Sequence, residues 1–190
     1  MLLILNNDVE VETKDWLEQM LMHVQKKEVG AVGCLLLYPN RDIQHAGILL
    51  GVGGIAGHAY RGYGESQLGY FGSVKSVINL SAVTGACMMV RKDVYDEVGG
   101  LDAGAFPTSF NDVDFCLRLR AKGYRNVYTG LARLVHHESL TRGKSKDEVE
   151  MISRRSTPWK AAPKVVASSK SALRISTPRA ANSAKPSGLR

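Results

Sequence analysis

Three short clusters combine the side chains that bind cations or move protons. Asn6-Asn7-Asp8 closes a brief apolar run, Met1 to Leu5. In open α/β sheets ligands sit at the carboxyl ends of strands, where a carboxylate can reach a divalent ion bound to a diphosphate. Asn and Asp also end strands simply by satisfying the backbone of a turn. The second cluster, Asn111-Asp112-Val113-Asp114, stands at the start of an amphipathic stretch. Two residues apart on a helix, Asp112 and Asp114 project in different directions, so one at most faces a given cleft. Either they serve the helix N-terminus as caps and dipole partners, or Asp112 is a general base held at the helix mouth, able to take a proton from a hydroxyl nucleophile. The third is His136-His137-Glu138-Ser139, followed by Thr141, Arg142 and Gly143. Neutral imidazole suits manganese better than magnesium, so a histidine that joins Asp8 would favour manganese. Neighbouring residues of a strand face opposite ways, so only one of the two histidines can join it. A hydrogen-bonded core role for the pair is the other reading.

The elements that must position these clusters alternate between strand and helix. The run 1–5 reads as a buried parallel strand. After Thr13, a candidate N-cap, Trp16, Leu17, Met20, Leu21 and Val24 recur at helical spacing. Residues 29–38 and 44–50 read as strands, and the glycine-rich segment 57–72 reads as an irregular loop. Residues 77–84 and 86–90 are apolar on either side of Gly85. A short helix begins near Lys92 and ends at Gly99-Gly100, and a longer one runs over 112–122. Residues 126–128 and 134–137 read as two last extended pieces. This alternation predicts an α/β fold with a mixed sheet flanked by helices.

The chain has 190 residues and a net charge of +7, but the charge is unevenly placed. Residues 155–190 hold eight of the 25 basic residues and none of the 18 acidic ones, which leaves 17 against 18 in residues 1–154. The tail is rich in Ser, Ala, Thr and Pro and is expected to be disordered, so the domain is placed at 1–154. Its cations are spaced singly, without a patch of interleaved aromatics, and no specific nucleic-acid recognition is expected. A membrane-surface or nucleic-acid role for the basic tail is kept as an alternative. Cys34, Cys87 and Cys116 lie in apolar stretches without metal-ligand spacing and read as buried thiols of a reducing compartment. No run approaches the roughly 20 apolar residues of a membrane span, and a cytoplasmic protein is expected, with peripheral association at the inner face of the membrane as a variant.

Taken in order, LLILNNDVEV, then TGACMMVRKDVYDEVGGLDAGAFPTSFNDVDFCLRLRAKGYRNVYTG, then HHES with TRG, resemble family 2 glycosyltransferases of the GT-A fold, rhamnosyltransferase-like enzymes in particular. The resemblance implies a partial GT-A domain and an inverting transfer from a nucleotide-sugar donor to a polysaccharide or lipid-linked glycan acceptor. It implies that Asn6, Asn7 and Asp8 stand at the family's diphosphate-binding motif, with Asp8 as a ligand of Mn or Mg. Asp112 matches the catalytic base, and His137 matches the late histidine that completes the metal site, with His136 as the alternative. Gly85, Asp102, Asn111 and Asp114 fall on the acceptor side. The strand, turn and helix with which the family holds the nucleobase and ribose have no counterpart before Asn6. The chain by itself is therefore expected not to transfer sugar until that front half is supplied, and a non-catalytic fragment is the alternative.

Overall fold

The computed structural model describes residues 1–107 and 109–137, all within the first of two units, which ends at Glu148. The tail 155–190, the boundary expected after 154, and Glu138, Ser139, Thr141, Arg142 and Gly143 lie outside the described residues.

Strands β1 (Leu2–Leu5) and β2 (Val9–Val11) flank the Asn6–Asp8 turn, and α1 (Trp16–Val24) leads into β3 (Val29–Leu37). Then come β4 (Ile43–His45), β5 (Ile48–Leu50), β6 (Ala56–His58) and β7 (Val77–Leu80). The chain continues through β8 (Cys87–Val90), α2 (Lys92–Glu97), α3 (Asn111–Ala121) and β9 (Arg125–His136). One sheet runs β1-β8-β3-β9-β2, with β4 added beside β3 and β7 beside β9, while β5 and β6 form a separate pair. Only the β3 and β9 pairing is parallel among these ladders. The architecture is mixed α/β with a mixed sheet, as the order of elements predicts.

Strand β3, VGAVGCLLL, is buried at every position, which is why its sequence is continuously apolar instead of alternating. On one face α1 places Trp16, Met20 and Val24 against Val32, Cys34, Leu36, Cys87 and Met89. On the other, α2 and α3 place Val94, Val113, Phe115, Cys116 and Leu119 against Ala31, Leu35, Met88 and Tyr128. Each fully buried Leu, Phe or Met contributes about 1.5–3 kcal/mol, so these two clusters are what anchors the sheet. The three cysteines are buried and unpaired.

Five local expectations are corrected. Strand β1 is antiparallel to β8, its one partner strand among the described residues, and Leu3 and Leu5 remain 39% and 41% exposed. The run is apolar on both faces, but α1 covers the sheet only as far as β8. Thr13 does not cap α1: its Oγ1 accepts the Arg133 N–H (3.1 Å), and the helix starts after Asp15. The strand expected over 44–50 breaks in two at Gly47, whose φ of +95° suits glycine, and where a Cβ would fall 1.8 Å from Leu80 Cδ1. The two extended pieces near the end are one strand, β9, which carries three extra residues between the partners of Cys34 (Thr129) and Leu35 (Arg133). The segment 57–72 does contain order, in β6 and a 3-10 turn over Tyr70–Lys75.

Candidate functional site

Pairing of β2 with β9 sets Val9 opposite His136, and this register brings the first and third clusters together across the sheet. Asp8 Oδ1 lies 3.1 Å from His136 Nε2, and Asn6 Nδ2 lies 3.2 Å from the same nitrogen. His136 is buried, 6% exposed, whereas Asn6 and Asn7 are exposed in the turn. The backbone N–H of His137 donates to the Asp8 carbonyl (2.9 Å), but its ring points the other way, to Glu10 Oε2 at 3.3 Å. His137 directly follows the last residue of β9, and the alternation of an extended chain turns it to the opposite side. Of the two histidines, His136 is therefore the one beside Asp8. His137 instead lines, with Glu10, Glu12, Pro39 and Arg41, a surface cavity of about 330 Å³ that neither Asp8, His136 nor Asp112 borders.

Asp112 sits in the first turn of α3. The turn is set by Phe110, a non-glycine residue at φ +63°, a conformation that costs on the order of 1–3 kcal/mol and is met next to functional groups more often than elsewhere. Asp112 Oδ2 accepts the Gly85 N–H (2.9 Å) and Oδ1 accepts the Val113 N–H (2.8 Å), so both carboxylate oxygens are oriented by backbone. Gly85 leaves room for this: a Cβ there would lie 3.5 Å from Asp112 Cβ, ordinary contact. The next residue closes the circuit, since the Ala86 carbonyl accepts the Asn6 N–H (2.9 Å). The Thr84-Gly85-Ala86 turn thus holds the Asn6–Asp8 turn by one residue and Asp112 by the adjacent one.

Asp114 is turned away, as the spacing predicts. It pairs with Arg118 (2.8 Å), whose guanidinium also donates to the Gly100 carbonyl (2.7 Å) and to the Val98 carbonyl, so this pair ties α3 to the end of α2. Asn111 opens α3 beside Asp112, part-buried. Asp102 Oδ1 accepts the Gly104 and Ala105 N–H groups (3.0 and 2.9 Å), which makes it the organiser of its own loop.

Sequence reasoning passed over β4. Its Gln44 Oε1 lies 2.6 Å from His136 Nδ1, and both side chains are buried. His45, fully buried, accepts the Thr84 N–H at Nε2 (3.4 Å) and sets its Nδ1 2.9 Å from His58 Nδ1. Burial, and then the neighbouring His58 and His136, push the His45 pKa well below its ordinary value. The available signal was a Gln-His pair inside an otherwise apolar run, polar side chains that a buried strand carries only with partners.

A divalent cation is a question of donors. Among the described residues no group of three His, Cys, Asp or Glu side chains gathers in one place. Asp8 and His136 supply two, a carboxylate oxygen and an imidazole nitrogen. No described helix is long and apolar enough to cross a membrane.

No protein-family model matches the chain. It is 43% identical over 166 residues, 83% of its length, to a Sinorhizobium fredii protein named uncharacterized protein y4gI, and 43% identical over 143 residues, 75% of its length, to the Myxococcus xanthus O-antigen biosynthesis protein RfbC. It spans 18% and 11% of those two proteins. Over 62 residues, a third of the chain and 20% of the relative, it is 34% identical to the N-acetylglucosaminyl-diphospho-decaprenol L-rhamnosyltransferase of Mycobacterium tuberculosis. These similarities to proteins named for O-antigen biosynthesis and rhamnosyl transfer suggest kinship with glycosyltransferases.

Proposed function

We propose that the chain carries the diphosphate and acceptor side of an inverting family 2 glycosyltransferase of the GT-A fold, acting within a longer protein on a nucleotide-diphosphate sugar and a polysaccharide or lipid-linked glycan acceptor. The observation that carries this reading is the convergence of Asn6 and Asp112 on adjacent residues of the Thr84–Ala86 turn, with Asp8, at the other end of the Asn6–Asp8 turn, against His136.

Asp112 is suited to the base. Backbone N–H groups orient both its oxygens, and each oxygen keeps a lone pair that can take the proton of an acceptor hydroxyl. As that hydroxyl oxygen bonds to the anomeric carbon, the bond from carbon to the diphosphate oxygen breaks, the proton stays on Asp112, and the configuration inverts. No covalent intermediate on the protein is needed.

Asp8 and His136 would hold a divalent cation by one oxygen and one nitrogen, a small protein share that suits an ion accompanying a diphosphate. The mixed oxygen and nitrogen set favours manganese over magnesium. When bound, the cation offsets the charge on the departing diphosphate. Asn6, Asn7 and Asp8 themselves border the donor, and Gly85, Asp102 and Asn111 belong to the acceptor side.

The test joins the chain behind the front half of the Myxococcus relative and measures sugar transfer. Asp112→Asn is expected to lower turnover by at least about 100-fold while donor affinity stays within a few-fold. Undiminished turnover in that variant would remove Asp112 from the role of base.

A further inference from the structure

We infer that Gln44 is a positioning residue for His136: it holds the ring in the tautomer with its proton on Nδ1, so that the Nε2 lone pair faces Asp8. The inference deepens the reading in which Asp8 and His136 hold a cation.

The Gln44 contact calls for a proton on Nδ1, and the Asn6 contact is met when Nε2 bears none. The Gln44 Oε1 atom has no proton to give, so its 2.6 Å approach to His136 Nδ1 is a hydrogen bond only when Nδ1 carries the proton. The Asn6 amide nitrogen can only donate, so its 3.2 Å approach to Nε2 requires a lone pair there. Against the same Nε2 stands the Asp8 Oδ1 atom at 3.1 Å, an acceptor facing an acceptor. With Nε2 unprotonated, such a pair is completed by a cation, by a proton or by a water that donates to both atoms.

Free imidazole prefers its proton on Nε2, so this ring has to be held in the minority form. Gln44 and His136 are 4% and 6% exposed, and a carbonyl oxygen lost there is not replaced by bulk water. Gln44 is itself fixed by β4, whose neighbours Ile43 and His45 pair with Leu37 and Leu36 of β3. A glutamine fixes the ring without adding a charge to the site, whereas a carboxylate in its place would also raise the basicity of the ring.

The experiment uses the full chain, free of metal and labelled with ¹⁵N, and reads the long-range proton to nitrogen correlations of His136 near neutral pH. The wild type should show a protonated Nδ1 and an unprotonated Nε2. Gln44→Glu, which keeps the acceptor oxygen, should keep the proton on Nδ1, and Gln44→Leu should lose that preference. In a parallel titration with Mn²⁺ alone, Gln44→Leu should weaken binding by about 10- to 100-fold, while Gln44→Glu stays within a few-fold. A wild-type His136 protonated on Nε2, or a Gln44→Leu pattern identical to wild type, would overturn the assignment. Should Gln44→Leu fail to fold, the wild-type and Gln44→Glu spectra decide. The expected tautomers without Mn²⁺ binding to any of the proteins would uphold Gln44 and sink the cation reading instead.

Discussion

His136 and His137 share a peptide bond and face different chemistry, one buried between Gln44 and Asp8, the other on the surface beside Glu10. Expected from this, Asp8→Ala and His136→Ala each weaken Mn²⁺ binding in titration calorimetry by at least about tenfold, and His137→Ala leaves it within a few-fold. A loss confined to His137→Ala would reverse the choice of ligand. A second consequence concerns His45. Its folded-state pKa is depressed by burial beside His58 and His136, so the folded chain refuses a proton that the unfolded chain accepts near pH 6.5. The stability is complete above that pH and falls as pH drops below it, by at most about 1.4 kcal/mol per pH unit for one group. Between about pH 6.5 and 5, above the range where most carboxylates titrate, wild-type stability should decline, and the less stable His45→Gln should decline more gently. His23, whose pKa is also lowered by burial and by Lys26, accounts for part of any slope that remains. An unchanged slope would show that His45 is not the group. Asp8 and Asp112 were legible as candidates because a carboxylate at a strand end or helix start already has a ligand chemistry. Gln44 and His45 were not, since a residue that works by touching another residue reveals itself only when strands far apart in sequence are laid side by side.

Strand β9 carries its irregularity on Gly130. The Gly130 N–H donates to the Ser76 carbonyl (3.0 Å), and a Cβ at this position would lie 2.1 Å from the Val74 carbonyl oxygen and 2.7 Å from Lys75 Cα. These are backbone atoms and cannot rotate away. Gly130→Ala is therefore expected to cost stability at or above the upper end of the roughly 1–3 kcal/mol typical of overpacking, read as a lower midpoint in urea with an unchanged slope. A change under about 0.5 kcal/mol would mean that β9 and the 70–75 turn separate easily. By contrast Gly85→Ala, with only ordinary contact to Asp112, should fold nearly as well as wild type. Most elements followed from periodicity and turn residues, and α3, β3 and α2 lie close to where the sequence put them. Strand β9 was read as two pieces because Gly130 and Arg133 interrupt its apolar run, and a bulge is specified by the partner strand, which sequence spacing does not display. The same reasoning covers β1: five apolar residues say that a strand is present, and say nothing of its direction or of which face finds a helix.

Across the molecule, two apolar clusters grip one sheet between α1 and the pair α2 and α3, and the candidate site lies where the end of β1 and the start of α3 meet the Thr84–Ala86 turn, with the end of β9 against the Asn6–Asp8 turn. That architecture was readable from the order of the elements; the antiparallel direction of β1 and the splitting of the 44–50 strand were not, because both depend on contacts between distant segments. The cover on the α1 face stops at β8. Cys87 and Met89 are buried there, while Leu5 and Leu3, their register partners on β1, stay half exposed beside a backbone edge that has no second partner among the described residues. Such an edge is a template for further strands, and proteins commonly blunt it with lysine. The preparative consequence is colloidal: concentrated solutions of the chain should cloud through stacking of β1 on β1, and Leu3→Lys should raise the concentration at which light scattering begins while leaving the unfolding midpoint within a few degrees.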